Sequence, residues 1–173
     1  MDANRYFTAM HNAMSSRLPG AQLLAAVRLQ DLCGNDAYLE VRRMPGEHCA
    51  TVCYSTMGRR GLNFQLFRKG WMLCHNESGQ LTGQFPAKAE SLLEDTACCR
   101  EDRLDAARTD RMVQELETLA GTDCDLPLPR DARTGAVITV DSFVGRGAHW
   151  SYSTLSKAPC LPVAAILYWL ADS

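Results

Sequence analysis

The spacing of apolar residues changes near residue 37 from the period of a helix to that of a strand, and this change most constrains the fold. Between residues 2 and 18, apolar side chains recur every three or four positions, as on an amphipathic helix. Asp2 is suited to cap this helix, and Pro19 to end it. Residues 21–33 have the composition of a helix but partly alternate, so helix and strand both remain open there.

After residue 37, apolar and polar side chains alternate in short runs separated by turn residues, which predicts a meander of strands. The predicted strands are residues 37–43, 48–55, 62–69 and 70–75. Because short turns join them, we expect consecutive strands to pair antiparallel.

The second half of the chain predicts helices, then a hairpin, then a last helix. Residues 87–120 contain no Gly or Pro, and a charged run at 100–103 interrupts their apolar stripe. This predicts two helices, with Asp102 as the cap of the second. A hairpin follows within residues 135–155, and the apolar run Leu161–Leu170 predicts a C-terminal helix.

Together these patterns predict one α+β domain over residues 1–173: an antiparallel sheet with helices packed on one face, and a helix at each end. The net charge of −2 is too small to attract nucleic acid or lipid by a global field. Residues 1–20 do not resemble a secretory signal, and the longest apolar run is too short to span a bilayer. We therefore expect a cytoplasmic protein without a membrane partner, whose eight cysteines are free thiols.

Catalytic patterns are sparse. The chain has no Cys-x2-Cys pair and no phosphate-binding glycine motif, so we expect neither a metal nor a cofactor. One alternative is a cysteine-dependent hydrolase or transferase that uses Cys33 with His149 and Asp141. In the hairpin, however, the strand period places Trp150 and Tyr152 on the core face, and His149 on the opposite one.

Basic residues cluster between residues 59 and 69, close to Phe67 and Trp71. A second alternative is therefore a nucleic-acid binder that uses this basic patch, although the near-neutral total charge argues against it. A docking surface for another protein explains the same pattern. The candidate partner-binding residues are Arg59, Arg60, Arg68, Lys69, His149, Ser151, Leu167 and Leu170.

The segments "GAVITVDSFVGRGAHWSYSTL" and "LPVAAILYWLAD" follow one another as strand, turn, strand and terminal helix. This order resembles that of the small cytosolic chaperones of bacterial type III secretion effectors, mainly over residues 135–173. The resemblance implies a homodimer that binds another protein. We therefore expect a non-enzymatic bacterial protein-binding protein, such as a secretion chaperone, an adaptor or an immunity-type partner.

Overall fold

In a computed structural model, residues 1–82, 89–122, 124–126 and 128–156 are described, and they form a seven-stranded sheet with four helices. The helices are α1 (Ala3–Arg17), α2 (Arg59–Cys74), α3 (Ala89–Thr96) and α4 (Ala106–Leu119). The strands are β1 (Gln22–Asp31), β2 (Ala37–Arg43), β3 (Ala50–Ser55), β4 (Cys99–Leu104), β5 (Cys124–Leu126), β6 (Ala136–Ser142) and β7 (Ala148–Ser153).

The strand order across the described part of the sheet is β4-β3-β2-β1-β6-β7-β5, and among these pairings only the short one of β5 with β7 is parallel. The other neighbours pair antiparallel, which confirms the predicted α+β class. In this register, Ala26 of β1 lies opposite Glu40 of β2 on one side and Asp141 of β6 on the other.

Several elements coincide with those expected from the sequence. The helix at the N-terminus is α1, and the Asp2 carboxylate accepts a hydrogen bond from Arg5 N (2.8 Å) as its cap. The strand expected at residues 37–43 is β2, and the hairpin is β6 and β7. Trp150 is fully buried, as its position on the core face requires.

Residues 21–33, whose sequence is compatible with both a helix and a strand, contain the central strand β1. Four consecutive residues, 24–27, are buried, because helices cover the sheet on both faces at this strand. A strand buried on both faces loses the alternation that identifies a half-exposed one. This explains why its sequence is ambiguous.

The two strands predicted at 62–69 and 70–75 are wrong, because this segment is the single helix α2. Leu62, Gly70 and Cys74 are buried and Leu66 is partly buried, so the inward side chains recur every four residues. The alternation at Leu62, Phe64 and Leu66 arises because Phe64 is an apolar residue on the solvent side.

The segment predicted as two helices with only a break between them also contains a strand. The charged run lies in β4, which pairs with β3 between α3 and α4. The cap of α4 is Asp105, whose carboxylate accepts from Arg108 N (2.7 Å), and not Asp102, which lies within the strand. The connector after α4 contains β5.

Two apolar clusters cover opposite faces of the sheet. On one face, Met112 and Leu116 of α4 pack with sheet residues that include Trp150. On the other, Tyr6 and Met10 of α1 pack with sheet residues and with side chains of α2 and α3. Helices therefore lie on both faces of the sheet. The predicted packing on one face is correct for α1, α2 and α3, whereas α4 packs on the opposite face.

A buried ionic cluster, the Glu40 cluster, lies between α1 and β2. The Glu40 side chain is 0% exposed, and its Oε1 accepts hydrogen bonds from the Tyr38 hydroxyl and from His11 Nδ1, each at 2.5 Å. Its Oε2 accepts from Arg42 Nε (2.5 Å), and Arg42 Nη2 donates to the Ser15 hydroxyl (2.7 Å). Burial, with the Glu40 carboxylate beside it, raises the pKa of Tyr38, so this hydroxyl remains a donor.

Among the described residues, no helix has both the length and the apolar character needed to cross a membrane. The expected C-terminal helix, Leu161–Leu170, lies outside the described residues together with Leu167 and Leu170.

Candidate functional site

Three exposed aromatic side chains of α2 form one surface, the aromatic face, which consists of Phe64, Phe67 and Trp71. Their exposed fractions are 63%, 70% and 52%. The spacing of three and then four residues puts all three on the same side of the helix. Phe64 lies on the far side of the helix from the buried Leu62, whereas Phe67 and Trp71 border the buried Gly70 and Cys74. A surface helix normally turns polar side chains to solvent, so α2 departs from that rule.

The orientation of Trp71 is fixed by its neighbour one turn later. The indole stacks on the His75 imidazole with ring centroids 3.8 Å apart and an interplanar angle of 8°. His75 N also donates to Trp71 O (2.9 Å) at the end of the helix. A ring already held in place loses little conformational freedom when a partner covers it.

The four basic residues of α2 divide into two pairs. Arg59 is 19% exposed, and its Nε lies 3.0 Å from Asp36 Oδ2, while Lys69 Nζ lies 3.6 Å from Asp95 Oδ2. Within the described part of the chain, the exposed residues Arg60 and Arg68 form no ion pair.

Arg60 and Arg68 also share the side of α2 that carries the aromatic face. Arg60 lies one turn before Phe64, and Arg68 lies directly after Phe67 and one turn after Phe64. The helix itself contains no acidic residue. Aromatic residues and arginine are enriched in protein interfaces relative to the rest of the surface.

Two of the four cations in the basic patch, Arg59 and Lys69, already form ion pairs within the protein. Arg59 Nη2 donates to Asp31 O (3.3 Å) in addition to pairing with Asp36, so its guanidinium faces the protein. Burial raises the pKa of the Asp36 carboxyl, and the Arg59 guanidinium opposes that shift. No observation on the described residues favours nucleic acid over protein as the partner.

His149 of β7 and Asp141 of β6 lie directly opposite each other in the hairpin. His149 Nδ1 is 2.6 Å from Asp141 Oδ1, and Arg28 Nη2 is 2.8 Å from Asp141 Oδ2. His149 is exposed on the sheet surface, and Ser151, two residues further on the same face, is buried.

Cys33 is not brought to this pair. It follows β1 at the end where Asp31 lies opposite Ala136, whereas Asp141 is five residues further along β6. At about 3.3 Å per residue, that places Cys33 roughly 17 Å or more from Asp141. The geometry therefore does not assemble Cys33, His149 and Asp141 into one site.

Two further cysteines, Cys53 and Cys99, favour a packing role because both are buried. Burial raises the pKa of the Cys53 thiol to about 12 and also raises the pKa of Cys99, which disfavours the thiolate that a nucleophile needs. No group of three metal-ligating side chains comes together in the parts of the chain that are described.

The sequence pattern identifies the basic residues of α2 but not Phe64 as a surface residue, because the pattern predicts strands in this segment. The signal for the helix is the recurrence of Leu62, Leu66 and Gly70 at intervals of four. No protein-family model, curated protein or solved structure matches the chain, so the candidate sites rest on its own geometry.

Proposed function

We propose that the chain is a non-enzymatic bacterial protein-binding protein, of the secretion-chaperone, adaptor or immunity type, and that it docks its partner on the aromatic face of α2. The observation that carries the proposal is the exposure of Phe64, Phe67 and Trp71 on one side of a single helix. With about 200 Å² available on each aromatic side chain, they present roughly 350–400 Å² of apolar surface to solvent. Patches of that size on a monomer often serve binding.

The partner is an amphipathic segment that carries acidic residues beside its apolar ones. Its apolar side chains cover the aromatic rings, and its carboxylates pair with the guanidinium groups of Arg60 and Arg68. A helix laid along α2 meets both requirements, because apolar anchors at intervals of three and four residues match the spacing on α2.

A second copy of this chain is a poorer occupant of the same surface. In a two-fold pair of α2 helices, each would place Arg60 and Arg68 against an identical helix that has no carboxylate to receive them. Like charges facing each other oppose association. The charge on α2 thus favours a different protein over a homodimer formed through this helix.

Two synthetic helical peptides test the proposal by fluorescence anisotropy. Both carry the same apolar side chains, and their flanking positions hold Glu in one peptide and Lys in the other. We expect the Glu peptide to bind and the Lys peptide to bind much more weakly. Phe67→Ala removes a central aromatic contact worth about 2 kcal/mol or more, so it should weaken binding of the Glu peptide about 30-fold or more. The double variant Arg60→Glu/Arg68→Glu should favour the Lys peptide instead.

Leu32→Ala provides the matched control, since Leu32 is an apolar residue 45% exposed outside α2. Equal binding of the two peptides, or an equal loss with Leu32→Ala and Phe67→Ala, would contradict the proposal. Light scattering addresses the homodimer: a dimer that dissociates on Phe67→Ala would show that a second copy occupies the face. A photo-crosslinker at position 67 in the host cell should then join α2 to an acidic amphipathic segment of the natural partner.

A further inference from the structure

A groove of about 400 Å³ runs between α1 and the first two strands, away from α2. Its lining includes Phe7 and His11 of α1, Ala26 and Arg28 of β1, Tyr38 of β2, and Phe143 just after β6. This volume lies within the range of small-molecule sites in proteins. The groove shares no residue with the aromatic face of α2.

The sheet register explains how the groove acquires both depth and charge. Ala26, whose side chain is a single methyl group, lies between Glu40 and Asp141 on adjacent strands. Each of these carboxylates holds a basic side chain of the groove: Glu40 contacts His11, and Asp141 contacts Arg28. Glu40 and Asp141 do not line the groove themselves, whereas His11 and Arg28 do.

His11 is oriented by the buried Glu40 carboxylate. Because a carboxylate only accepts hydrogen bonds, the 2.5 Å contact places a proton of His11 on Nδ1. Nε2 lies on the other side of the ring, and in the imidazolium form, which carries a proton on both nitrogens, it donates to an oxyanion. The His11 side chain is 45% exposed, so a ligand can reach it. The Glu40 cluster occupies a buried position where apolar side chains of similar size would cost less, because burying a carboxylate is unfavourable. The cluster nevertheless keeps the His11 imidazole in a fixed orientation.

Arg28 is oriented in a comparable way from the other strand. Its Nη2 lies 2.8 Å from Asp141 Oδ2, and the second oxygen of Asp141 contacts His149 Nδ1 at 2.6 Å. The Arg28 side chain is 42% exposed, and its contact with Asp141 is an ion pair without hydrogen-bond geometry. A guanidinium carries five N–H donors, and they can bind an oxyanion in the fork geometry that arginine favours.

We propose that this groove binds a small organic oxyanion, that is, a carboxylate or phosphate attached to an apolar body. Arg28 and His11 bind the oxyanion, and Phe7 and Phe143 contact the body. Phe143 is 48% exposed, which leaves its ring open to such a contact. The proposal is independent of partner binding on α2.

Titration of the isotope-labelled protein, followed by the amide and imidazole signals in NMR spectra, tests the site. The probes are phenylacetate, phenyl phosphate and benzyl alcohol, which share an aromatic ring and differ in the polar group. We expect at least one oxyanion to shift signals of Phe7, His11, Arg28 and Phe143. Benzyl alcohol should bind at least about 10-fold more weakly than that oxyanion. The tighter of the two oxyanions identifies the preferred group.

Two variants and a control locate the binding. Arg28→Gln should weaken the oxyanions about 10- to 100-fold and leave benzyl alcohol unchanged, because it removes a charge-assisted hydrogen bond. Thr8→Phe, at an exposed position of α1 that borders the groove, should block every probe without disturbing the core. Arg103→Gln, at an arginine of β4 with 70% exposure, should change nothing.

Equal affinity for benzyl alcohol, shifts that lie outside the groove, or wild-type binding by both Arg28→Gln and Thr8→Phe would each overturn the proposal. Phe67→Ala is expected to leave probe binding intact, so failure here is distinguishable from failure of the docking surface on α2.

Discussion

Replacing Glu40 with Gln should destabilise the protein strongly although the side chains have the same shape. Arg42 is only 6% exposed, and its Nε donates to the Glu40 carboxylate. In Glu40→Gln the guanidinium loses its counter-charge in a site that water does not reach, and an amide N–H2 group competes for the position of an accepting oxygen. Breaking one member of a buried pair costs about 3–5 kcal/mol, a large share of the roughly 5–15 kcal/mol that stabilises a domain.

Urea unfolding followed by circular dichroism measures this loss as a change in the free energy of unfolding. The pair itself is separated from its surroundings by a double-mutant cycle with Glu40→Leu, Arg42→Met and both together. Because the double variant leaves no buried charge, it should be far more stable than the two single losses predict. Arg103→Gln, whose guanidinium is 3.6 Å from an exposed Glu47 carboxylate, should change stability by less than about 0.5 kcal/mol.

A cost below about 1 kcal/mol for Glu40→Gln would show that the Arg42 guanidinium does not need the Glu40 carboxylate, since an uncompensated buried charge costs more than that. Additive losses in the cycle would contradict the prediction as well, because they would show that the two side chains do not depend on each other.

Three further predictions concern α2, the cysteines and alkaline pH. Leu62→Ala should destabilise the fold by about 2–5 kcal/mol in urea, whereas Phe67→Ala should change stability by less than about 0.5 kcal/mol; the reverse order would contradict the helix. Iodoacetamide should label the exposed Cys33 before the buried Cys53, as mass spectrometry of the digested protein would report. Burial raises the pKa of Tyr6 to about 12, so its folded state favours the neutral phenol. The stability that this provides is complete below pH about 10 and is lost as pH rises through 12, and Tyr6→Phe should flatten the decline in urea midpoint over that range.

The sequence correctly predicted the helices and strands that have one side in the core and the other toward solvent. In α1 one side is buried and the other more exposed, and in β7 the exposed His149 precedes the buried Trp150, so the apolar period is visible. In β1 this contrast is absent, because both faces of the strand are covered. The period of a strand therefore disappears where the sheet is most deeply buried.

The errors at α2 and β4 have other physical causes. The exposed Phe64 gave a helix the alternation of a strand, so a residue proposed to bind a partner also led to the wrong prediction of the fold there. The charged run in β4 is tolerated because the strand forms one edge of the sheet, where its charges reach solvent, but no local pattern separates such a run from a helix terminus. The groove depends on the pairing of three strands, and pairing between distant segments is not encoded in spacing along one of them.

The two edges of the described sheet also bear on how the protein behaves when concentrated. Residues 100–103 of β4 are four consecutive charged side chains, all exposed, and β5 at the opposite edge has only three residues. A strand from another molecule would have to align with crowded charges at one edge and with too few backbone groups at the other. The fold thus discourages growth into cross-β fibrils, and contacts between molecules are left to side chains such as those on α2.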